Sequence, residues 1–368
     1  MPDRLHRGAR MDIGYDGMSG RFRGTVNHAW GDITQMAKRA MHRLGIVPPP
    51  FRISIDITDR CDFRCPTCSK WRGARSHEEL GLDQWKLVFE KLRGVPLLRE
   101  IAVGGGEPFV HPDVFEVLGL AKQQDLHIAV ISNGWSVDEK VLKRVEDIGV
   151  ASLMISLNSL QESVHDRSRA TAGSYVRIME LVEVWRAQLR VTDLCLLTIV
   201  MEPNCKELVD LARFVRESAL SGIMFQVLLP TEVHYPFGCE PTMRQPAATW
   251  YEGDPRWVRS LHTLHEQVQE LLDLQGKGYP ILNPPSQLRR FTQYYEDPIG
   301  ASRVPCLGTL SRMHIDPLGE MRLCYGYPSI GSILHDDPRL AWRSEQAAQI
   351  RLASRKCTRP CRMLNCNL

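Results

Sequence analysis

Three cysteines, Cys61, Cys65 and Cys68, lie within eight residues of one another. They follow a short apolar run, Arg52 to Ile57, that predicts a β-strand, so we place them on a loop at the carboxyl end of that strand. Three thiolates at this spacing can bind three irons of a cubane [4Fe-4S] cluster and leave the fourth iron open to another ligand. The spacing therefore predicts a reactive iron-sulfur centre, because an iron with an open position can take part in chemistry.

Two other uses of this cysteine triplet stay open from the residues alone. One is a zinc site completed from elsewhere in the chain, for which His77 is the nearby candidate. Zinc sites favour cysteines paired at short spacings with a fourth Cys or His ligand close by, which this loop lacks. The other is a set of buried thiols that bind no metal.

Polar or glycine-rich segments follow the next predicted strands in the same way. In a parallel α/β fold the carboxyl ends of successive strands meet at one edge, where ligands bind, so we expect these residues to surround the cysteine loop. A turn or strand cap at each position is the simpler alternative. The candidate cofactor-binding residues are Gly105, Gly106, Glu107, Ser132, Asn133, Ser156, Asn158 and Arg169.

Five further cysteines lie in the last 63 residues, and they suit one closed [4Fe-4S] cluster with one thiol to spare. Alternating apolar residues and a Pro317-Leu318-Gly319 turn predict a hairpin between the first two of them. We expect three of the ligands to be the first three cysteines and the fourth to be one of the last two. A zinc site is the alternative, and disulfides are disfavoured in a reducing compartment. These cysteines are Cys306, Cys324, Cys357, Cys361 and Cys366.

The composition limits the class of protein. The chain has 368 residues, is 43% hydrophobic and 24% charged, and carries a formal net charge of +3. These values exclude a disordered or collagen-like chain and give no basic excess for a nucleic-acid partner. No apolar run is long enough to predict a transmembrane segment, and the first twenty residues do not have the pattern of a secretory signal. We therefore expect a cytoplasmic protein.

The order of predicted elements indicates an α/β fold, a partial (β/α)6 TIM-like barrel followed by a small C-terminal cysteine-rich auxiliary-cluster domain. Helices that alternate with the strands are predicted from apolar residues at three- and four-residue spacing. The predicted strands are Arg52 to Ile57, Glu100 to Val103, His127 to Ser132, Ser152 to Leu157, Leu194 to Val200 and Ile223 to Leu229. The predicted helices are Asp83 to Arg93, Pro112 to Gln123, Asp138 to Ile148, Gly173 to Arg186 and Cys205 to Ser218.

Four regions follow from this pattern. Residues 1–50 form an N-terminal extension with a helix from His28 to Leu44, and residues 51–230 form the barrel. Residues 231–300 are a bridging segment with one helix, Arg256 to Leu274, and residues 301–368 hold the C-terminal cysteines. The isolated Cys195 and Cys205 are expected to be small buried apolar side chains.

The cysteine triplet on a loop after the first strand resembles the cluster-binding motif of the radical S-adenosylmethionine (SAM) superfamily. An aromatic residue is common before the third cysteine in that family, whereas Thr67 stands here. The segment Gly104 to Glu107 resembles the family's GGE motif, which contacts the SAM amino group. The resemblance further implies that Ser132, Asn133, Ser156 and Asn158 are polar strand-end contacts to SAM, and that Arg169 reaches the SAM carboxylate.

The C-x12-G-x4-C arrangement from Cys306 to Cys324 resembles the first half of the auxiliary domains called SPASM or, in shortened form, twitch. The tail departs from the full pattern, because it has too few cysteines to bind two auxiliary clusters. What the resemblance implies is an oxidoreductase with SAM, a SAM-binding [4Fe-4S] cluster and one auxiliary [4Fe-4S] cluster. A reducing partner such as flavodoxin or ferredoxin would supply the electron that cleaves SAM to a 5′-deoxyadenosyl radical, which abstracts hydrogen from an unactivated carbon.

The substrate is the least constrained part of the sequence. We favour a small metabolite or natural-product intermediate, because residues 1–50 are short and poor in strands for a separate domain that binds a peptide leader. A ribosomally made peptide or protein is the alternative, and a non-catalytic metal-binding scaffold or redox sensor is a further one. Oxidation of the substrate needs a base. Position alone makes base candidates of Glu232, His234 and Tyr235. Cys239, in the bridging segment just beyond the sixth strand, is a candidate for a substrate contact.

Overall fold

Parallel strands follow the order of the chain across one sheet. In the computed structural model, which describes residues 40–41, 44, 46–72, 79–187, 192–230, 249–303, 306–357 and 359–363, each strand pairs in parallel with the next. The strands are β1 (Arg52–Thr58), β2 (Glu100–Gly105), β3 (His127–Ser132), β4 (Ser152–Ser156), β5 (Asp193–Val200) and β6 (Gly222–Val227). The predicted α/β class is confirmed, and the sheet is consistent with an open, partial barrel.

Helices separate these strands and cover one face of the sheet. Ile53, Ile55 and Ile57 of β1 are fully buried, and they belong to the same apolar core as Trp85 and Phe89 of the first helix. The period of two along β1 thus places its apolar residues under the helices and its polar residues on the other face. The helices are α1 (Leu82–Leu92), α2 (Val114–Lys122), α3 (Glu139–Ile148), α4 (Glu162–Arg169), α5 (Ser174–Ala187) and α6 (Leu208–Glu217).

The first two strands are longer than their apolar runs predict. β1 continues to Thr58 and β2 to Gly105, and these two residues pair with each other. The difference arises because Thr58 and the glycines carry no apolar signal, although their backbones still pair. The glycine-rich motif therefore begins inside the sheet and not after it.

The predicted C-terminal hairpin is present and extends the same sheet. Its strands are β7 (Arg312–Ile315), β8 (Glu320–Arg322) and β9 (Gly331–Ser332), and β7 pairs in parallel with β1. Asp316 forms the turn, since its Oδ1 accepts hydrogen bonds from the backbone of Leu318 at 3.0 Å and Glu320 at 2.9 Å. The hairpin thus lies directly beside the strand that leads into the first cysteine loop.

The segment after β6 contains two long helices where one was predicted. They are α7 (Leu261–Gly276) and α8 (Pro285–Glu296). Helix α7 starts later than expected because the carboxylate of Glu202 accepts the backbone N–H groups of Arg259 and Ser260. Helix α8 starts at a proline, which suits a first helical position, and buries an apolar stripe that includes Leu288 and Phe291.

Shorter helices complete the described part of the tail. They are α9 (Pro298–Ala301), α10 (Gly308–Ser311), α11 (Pro338–Arg343) and α12 (Glu345–Arg355). The predicted N-terminal helix falls largely outside the described residues. Within the described ranges, no helix has the length and apolar character that crossing a membrane requires. The boundaries of the four predicted regions stay a prediction.

Candidate metal and cofactor site

The first three cysteines share one short loop that leaves the end of β1. Cys65 is 6% exposed, and its carbonyl accepts the backbone N–H of Cys68 at 3.1 Å. The backbone N–H of Phe63 points to the Cys61 sulfur at 3.4 Å. No disulfide joins the cysteines within the described part of the chain. The loop therefore offers three thiols that can ligate metal.

The glycine motif holds this loop against the end of β2. The backbone N–H of Gly106 donates to the Thr58 carbonyl at 2.7 Å, and that of Glu107 donates to the Arg60 carbonyl at 2.8 Å. A Cβ on Gly105 would lie 2.3 Å from the Thr58 oxygen, and one on Gly106 would lie 2.1 Å from the Arg60 oxygen. Gly105 also has a φ of +118°. Both glycines are therefore required by the approach of two backbones.

Glu107 connects the ends of β2 and β3. Its carboxylate is fully buried and accepts hydrogen bonds from the Ser132 hydroxyl at 2.9 Å and from the backbone of Asn133 at 2.7 Å and Phe109 at 3.2 Å. Burial raises the pKa of Glu107 to about 7. Ser132 and Glu107 are thus hydrogen-bonded to each other inside the protein. The same carboxylate fixes the backbone of Asn133.

Asn133 reaches the cysteine loop itself. Its Nδ2 donates to Asp62 Oδ1 at 2.6 Å and lies 3.9 Å from the Cys61 sulfur. Its Oδ1 accepts the backbone N–H of Trp135 at 2.8 Å, which fixes the orientation of the amide. The structure therefore brings this predicted cofactor-binding residue to the cysteine loop.

Arg169 reaches the same loop from the end of α4. Its carbonyl oxygen lies 3.6 Å from the Cys65 sulfur, and its guanidinium lies 5.6 Å from the centre of the Phe63 ring. The guanidinium Nε is buried and has no hydrogen-bond partner. A buried cationic donor without an acceptor next to a ligand cysteine is suited to bind an anionic group such as a carboxylate.

Asn158 supports α4 through hydrogen bonds made by both polar atoms of its side-chain amide. Its Nδ2 donates to the Ser168 hydroxyl at 2.9 Å, and its Oδ1 accepts the backbone N–H of Ile199 at 3.0 Å. Its own backbone N–H donates to Nδ1 of the buried His165 at 3.1 Å. Asn158 thereby positions α4, whereas Ser156 is a partly exposed residue at the end of β4.

Burial disfavours the thiolate forms of Cys61 and Cys65. It raises the pKa of Cys61 to about 12 and also raises the pKa of Cys65. Metal ligation requires thiolates, so the positive charge of a bound metal has to drive their deprotonation. Among the described residues, no three Cys, His, Asp or Glu side chains are grouped closely enough to hold one metal ion. Thiolates spread over several irons do not need that closer grouping.

The C-terminal cysteines form a second group around the hairpin. The pKa of Cys324 is raised to about 12, first by burial and then by the neighbouring Cys306 and Cys357. The Tyr327 hydroxyl is hydrogen-bonded to Cys357. Cys361 is half-buried and interacts with Tyr294 of α8. The group is therefore rich in thiols, a donor set suited to a thiolate-ligated cluster.

A buried ion pair between the two cysteine groups was not predicted from the sequence. Lys70 Nζ lies 2.5 Å from Asp56 Oδ2 of β1, and the Tyr325 hydroxyl donates to the same oxygen at 3.1 Å. Lys70 follows Cys68 by two positions and Tyr325 follows Cys324 directly. These contacts of Asp56 thus join the first loop, β1 and the hairpin. No local sequence pattern could have revealed them, because the three residues are well separated in the chain.

Several predicted residues cannot be placed. His77, Glu232, His234, Tyr235, Cys239 and Cys366 lie outside the described residues. The choice between Cys361 and Cys366 as the fourth auxiliary ligand therefore stays open. Cys195 and Cys205 are 6% and 3% exposed, so the prediction that they are buried is confirmed.

The fold and the cysteine loop agree with a comparison to known protein families. Residues 55–215 match the model of the Radical SAM superfamily, a range that runs from β1 into α6 and includes the cysteine loop, the glycine motif, Asn133 and Arg169. Residues 55–215 form a radical SAM domain. This confirms the predicted superfamily, whose members use SAM and a [4Fe-4S] cluster.

Relatives of the radical SAM domain include two curated proteins. PqqA peptide cyclase of Rhodopseudomonas palustris is 27% identical over 141 residues, 38% of this chain and 37% of the relative. Antilisterial bacteriocin subtilosin biosynthesis protein AlbA of Bacillus subtilis is 22% identical over 309 residues, 78% of this chain and 58% of the relative. The chain thus spans about a third to three fifths of these relatives.

The fold is also similar to solved structures. Streptococcus suis SuiB bound to the precursor peptide SuiA has a TM-score of 0.62 at 13% identity, over 88% of this chain and 71% of that one. At this identity the likeness shows the fold. The likeness covers more of the chain than residues 55–215 alone.

The glycine motif yields a prediction with a matched control. We expect Gly106→Ala to lower the free energy of unfolding by about 1–3 kcal/mol, because its Cβ would overlap the Arg60 carbonyl. Gly104→Ala should change it little, since the nearest atom, the Ile131 Cβ, is 4.0 Å away. Urea unfolding of the metal-free proteins measures both values. Equal stability of the two variants would contradict this account of the motif.

His165 yields a pH prediction. Burial lowers the pKa of His165 from 6.5 to about 3, so the folded chain keeps the ring neutral while the unfolded chain takes up a proton below pH 6.5. The free energy of unfolding should therefore fall by about 2 kcal/mol between pH 7 and pH 5 on account of this residue. His165→Gln should lose that part of the pH dependence in urea unfolding. A variant with the same slope as the wild type would show that the ring titrates normally.

Proposed function

We propose that the chain is a radical SAM enzyme that modifies a ribosomally made peptide and oxidises it with the help of one auxiliary [4Fe-4S] cluster. The observation that carries the proposal is the convergence of Asn133, from the end of β3, and Arg169, from the end of α4, on the loop of Cys61 and Cys65. A metal-binding scaffold has no need for an arginine whose Nε is buried without a hydrogen-bond partner beside its ligands.

The residues of this loop fit the two groups that the family uses. Cys61, Cys65 and Cys68 would hold the cluster, and Arg169 would bind the carboxylate of SAM through its guanidinium. A Cβ at Gly104 would lie no closer than 4.0 Å to its nearest neighbour, so this position would leave room for the SAM amino group. Together these groups supply a 5′-deoxyadenosyl radical that takes a hydrogen atom from the substrate.

The protein's own contribution is to hold these groups in place and limit their access to water. Phe63 lies within the loop, 1% exposed, and packs edge-on against Trp135 at 5.8 Å between ring centres. Asn133 fixes Asp62 of the loop, and Glu107 fixes Asn133. These contacts fix the orientation of the cysteine loop. A radical reaction needs such fixed positioning of the reacting groups from its enzyme.

A peptide substrate is supported by what the relatives act on. The names of the cyclase and of the bacteriocin biosynthesis protein refer to peptide products, and SuiB is bound to a precursor peptide. These relationships favour the peptide alternative over the small metabolite that the sequence led us to expect.

The C-terminal cysteines would hold the acceptor for the second electron. The substrate loses one hydrogen atom to the deoxyadenosyl radical, one electron to the auxiliary cluster and one proton to a base, which gives a net two-electron oxidation. Cys306, Cys324 and Cys357 are the proposed ligands, with Cys361 or Cys366 as the fourth. A flavodoxin or ferredoxin in the cytoplasm would supply the electron that starts each turnover.

The test is SAM cleavage with peptide and metabolite fractions of the source cells. We expect the peptide fraction to raise 5′-deoxyadenosine formation by the anaerobically reconstituted, reduced protein at least tenfold, an effect of about 1.4 kcal/mol on the barrier. Prior digestion of that fraction with a protease should abolish the rise. Stimulation only by protease-resistant small molecules would contradict the peptide substrate.

Two variants serve as controls in the same assay. Cys61→Ala should give no 5′-deoxyadenosine with any fraction, because a ligand is lost. Cys195→Ala removes a buried cysteine of β5 that is outside both groups, and it should keep the peptide response. A wild type that binds metal but cleaves no SAM with any fraction would favour the metal-binding scaffold or redox-sensor alternative.

A further inference from the structure

A buried arginine lies within the second cysteine group. Arg359 stands between Cys357 and Cys361 in the sequence and is 7% exposed. Its guanidinium occupies the space above Gly326, where a Cβ on that glycine would be 2.0 Å from Nη1. The absence of a side chain at position 326 therefore permits the guanidinium to lie directly on the backbone.

That backbone leads to a proposed cluster ligand. The backbone N–H of Gly326 points to the Cys324 sulfur at 3.4 Å. Arg359 lies over the same glycine whose N–H points to that sulfur. The guanidinium is therefore held at a fixed position, one residue contact away from the sulfur of Cys324.

A buried cation of this kind has a specific effect on a neighbouring cluster. A [4Fe-4S] cluster with four thiolate ligands is negatively charged, and its charge becomes more negative by one unit on reduction. A fixed positive charge in a poorly solvated site stabilises the more negative state more strongly. The location of the guanidinium therefore favours the reduced state of any cluster bound here.

We infer that Arg359, held in place over Gly326, raises the reduction potential of the auxiliary cluster and so makes it a better electron acceptor. The inference rests on the proposed function, because it needs the auxiliary cluster. It assigns Arg359 as a positioning and tuning residue that is not itself a ligand. Gly326 does not have a positive φ, so its backbone conformation does not require glycine. The guanidinium of Arg359 explains the glycine, because it fills the space that a side chain would need.

The experiment is a redox titration of the auxiliary cluster, monitored by electron paramagnetic resonance, in proteins that lack the first cluster through Cys61, Cys65 and Cys68→Ala. We expect Arg359→Met to lower the ratio of reduced to oxidised cluster about tenfold at a fixed potential, which corresponds to a shift of 59 mV to more negative potential. Arg359→Lys keeps the charge and should shift the ratio less.

Gly326→Ala provides a second route to the same result. Its Cβ would displace the guanidinium without changing the number of charges, so the ratio should fall in the same direction. The control is Arg351→Met, which removes an equally buried guanidinium that packs on the Trp342 ring at 4.4 Å and donates to the Thr309 carbonyl. The control should titrate like the parent protein.

The outcomes separate this inference from the proposed function. Unchanged potentials in both Arg359→Met and Gly326→Ala, at full iron content, would overturn the role of Arg359 and leave the proposed function intact. Absence of any auxiliary cluster in the parent protein would overturn both. Loss of iron in all three variants at positions 326 and 359, with Arg351→Met fully loaded, would assign Arg359 to folding of the tail and overturn the tuning role.

Discussion

The close approach of two backbones at the ends of β1 and β2 is the constraint on which the site depends. Gly105 and Gly106 allow the chain after β2 to lie against the carbonyls of Thr58 and Arg60, directly before the first cysteine. Any side chain at those two positions would push the cysteine loop away from the sheet. Glu107 then carries the same constraint to β3, where it fixes Asn133 beside the loop. The position of the thiols is therefore set by backbone contacts before any metal binds.

The second cysteine group is tied to the first through the sheet. β7 pairs with β1, and the Asp56 carboxylate joins Lys70 of the first loop to Tyr325 of the hairpin. The ammonium of Lys70 and the carboxylate of Asp56 are both buried there, and their opposite charges offset the cost of removing each from water. A rigid connection of this kind suits an enzyme in which an electron leaves a substrate bound near one centre and is accepted at the other.

The sequence predicted the strands and the radical SAM superfamily well, because both depend on local patterns. The bounds of β3 agree with the apolar run from His127 to Ser132. Contacts between distant residues left no local signal: Asp56 and Tyr325 are 269 positions apart. The roles of polar strand-end residues were also beyond sequence reasoning. Ser132 and Asn158 have the right residue types for cofactor contacts, yet the structure shows their side chains bonded to Glu107 and to Ser168 and Ile199.

The most direct test of the account is the iron and acid-labile sulfide content per chain after anaerobic reconstitution. The account predicts about eight irons in the wild type and about four in the Cys61, Cys65 and Cys68→Ala variant, since two separate [4Fe-4S] clusters are proposed. A wild type with about four irons that fall to none in the variant would contradict it, because the C-terminal cysteines would then hold no cluster. Zinc bound in the tail would remove the proposed electron acceptor as well.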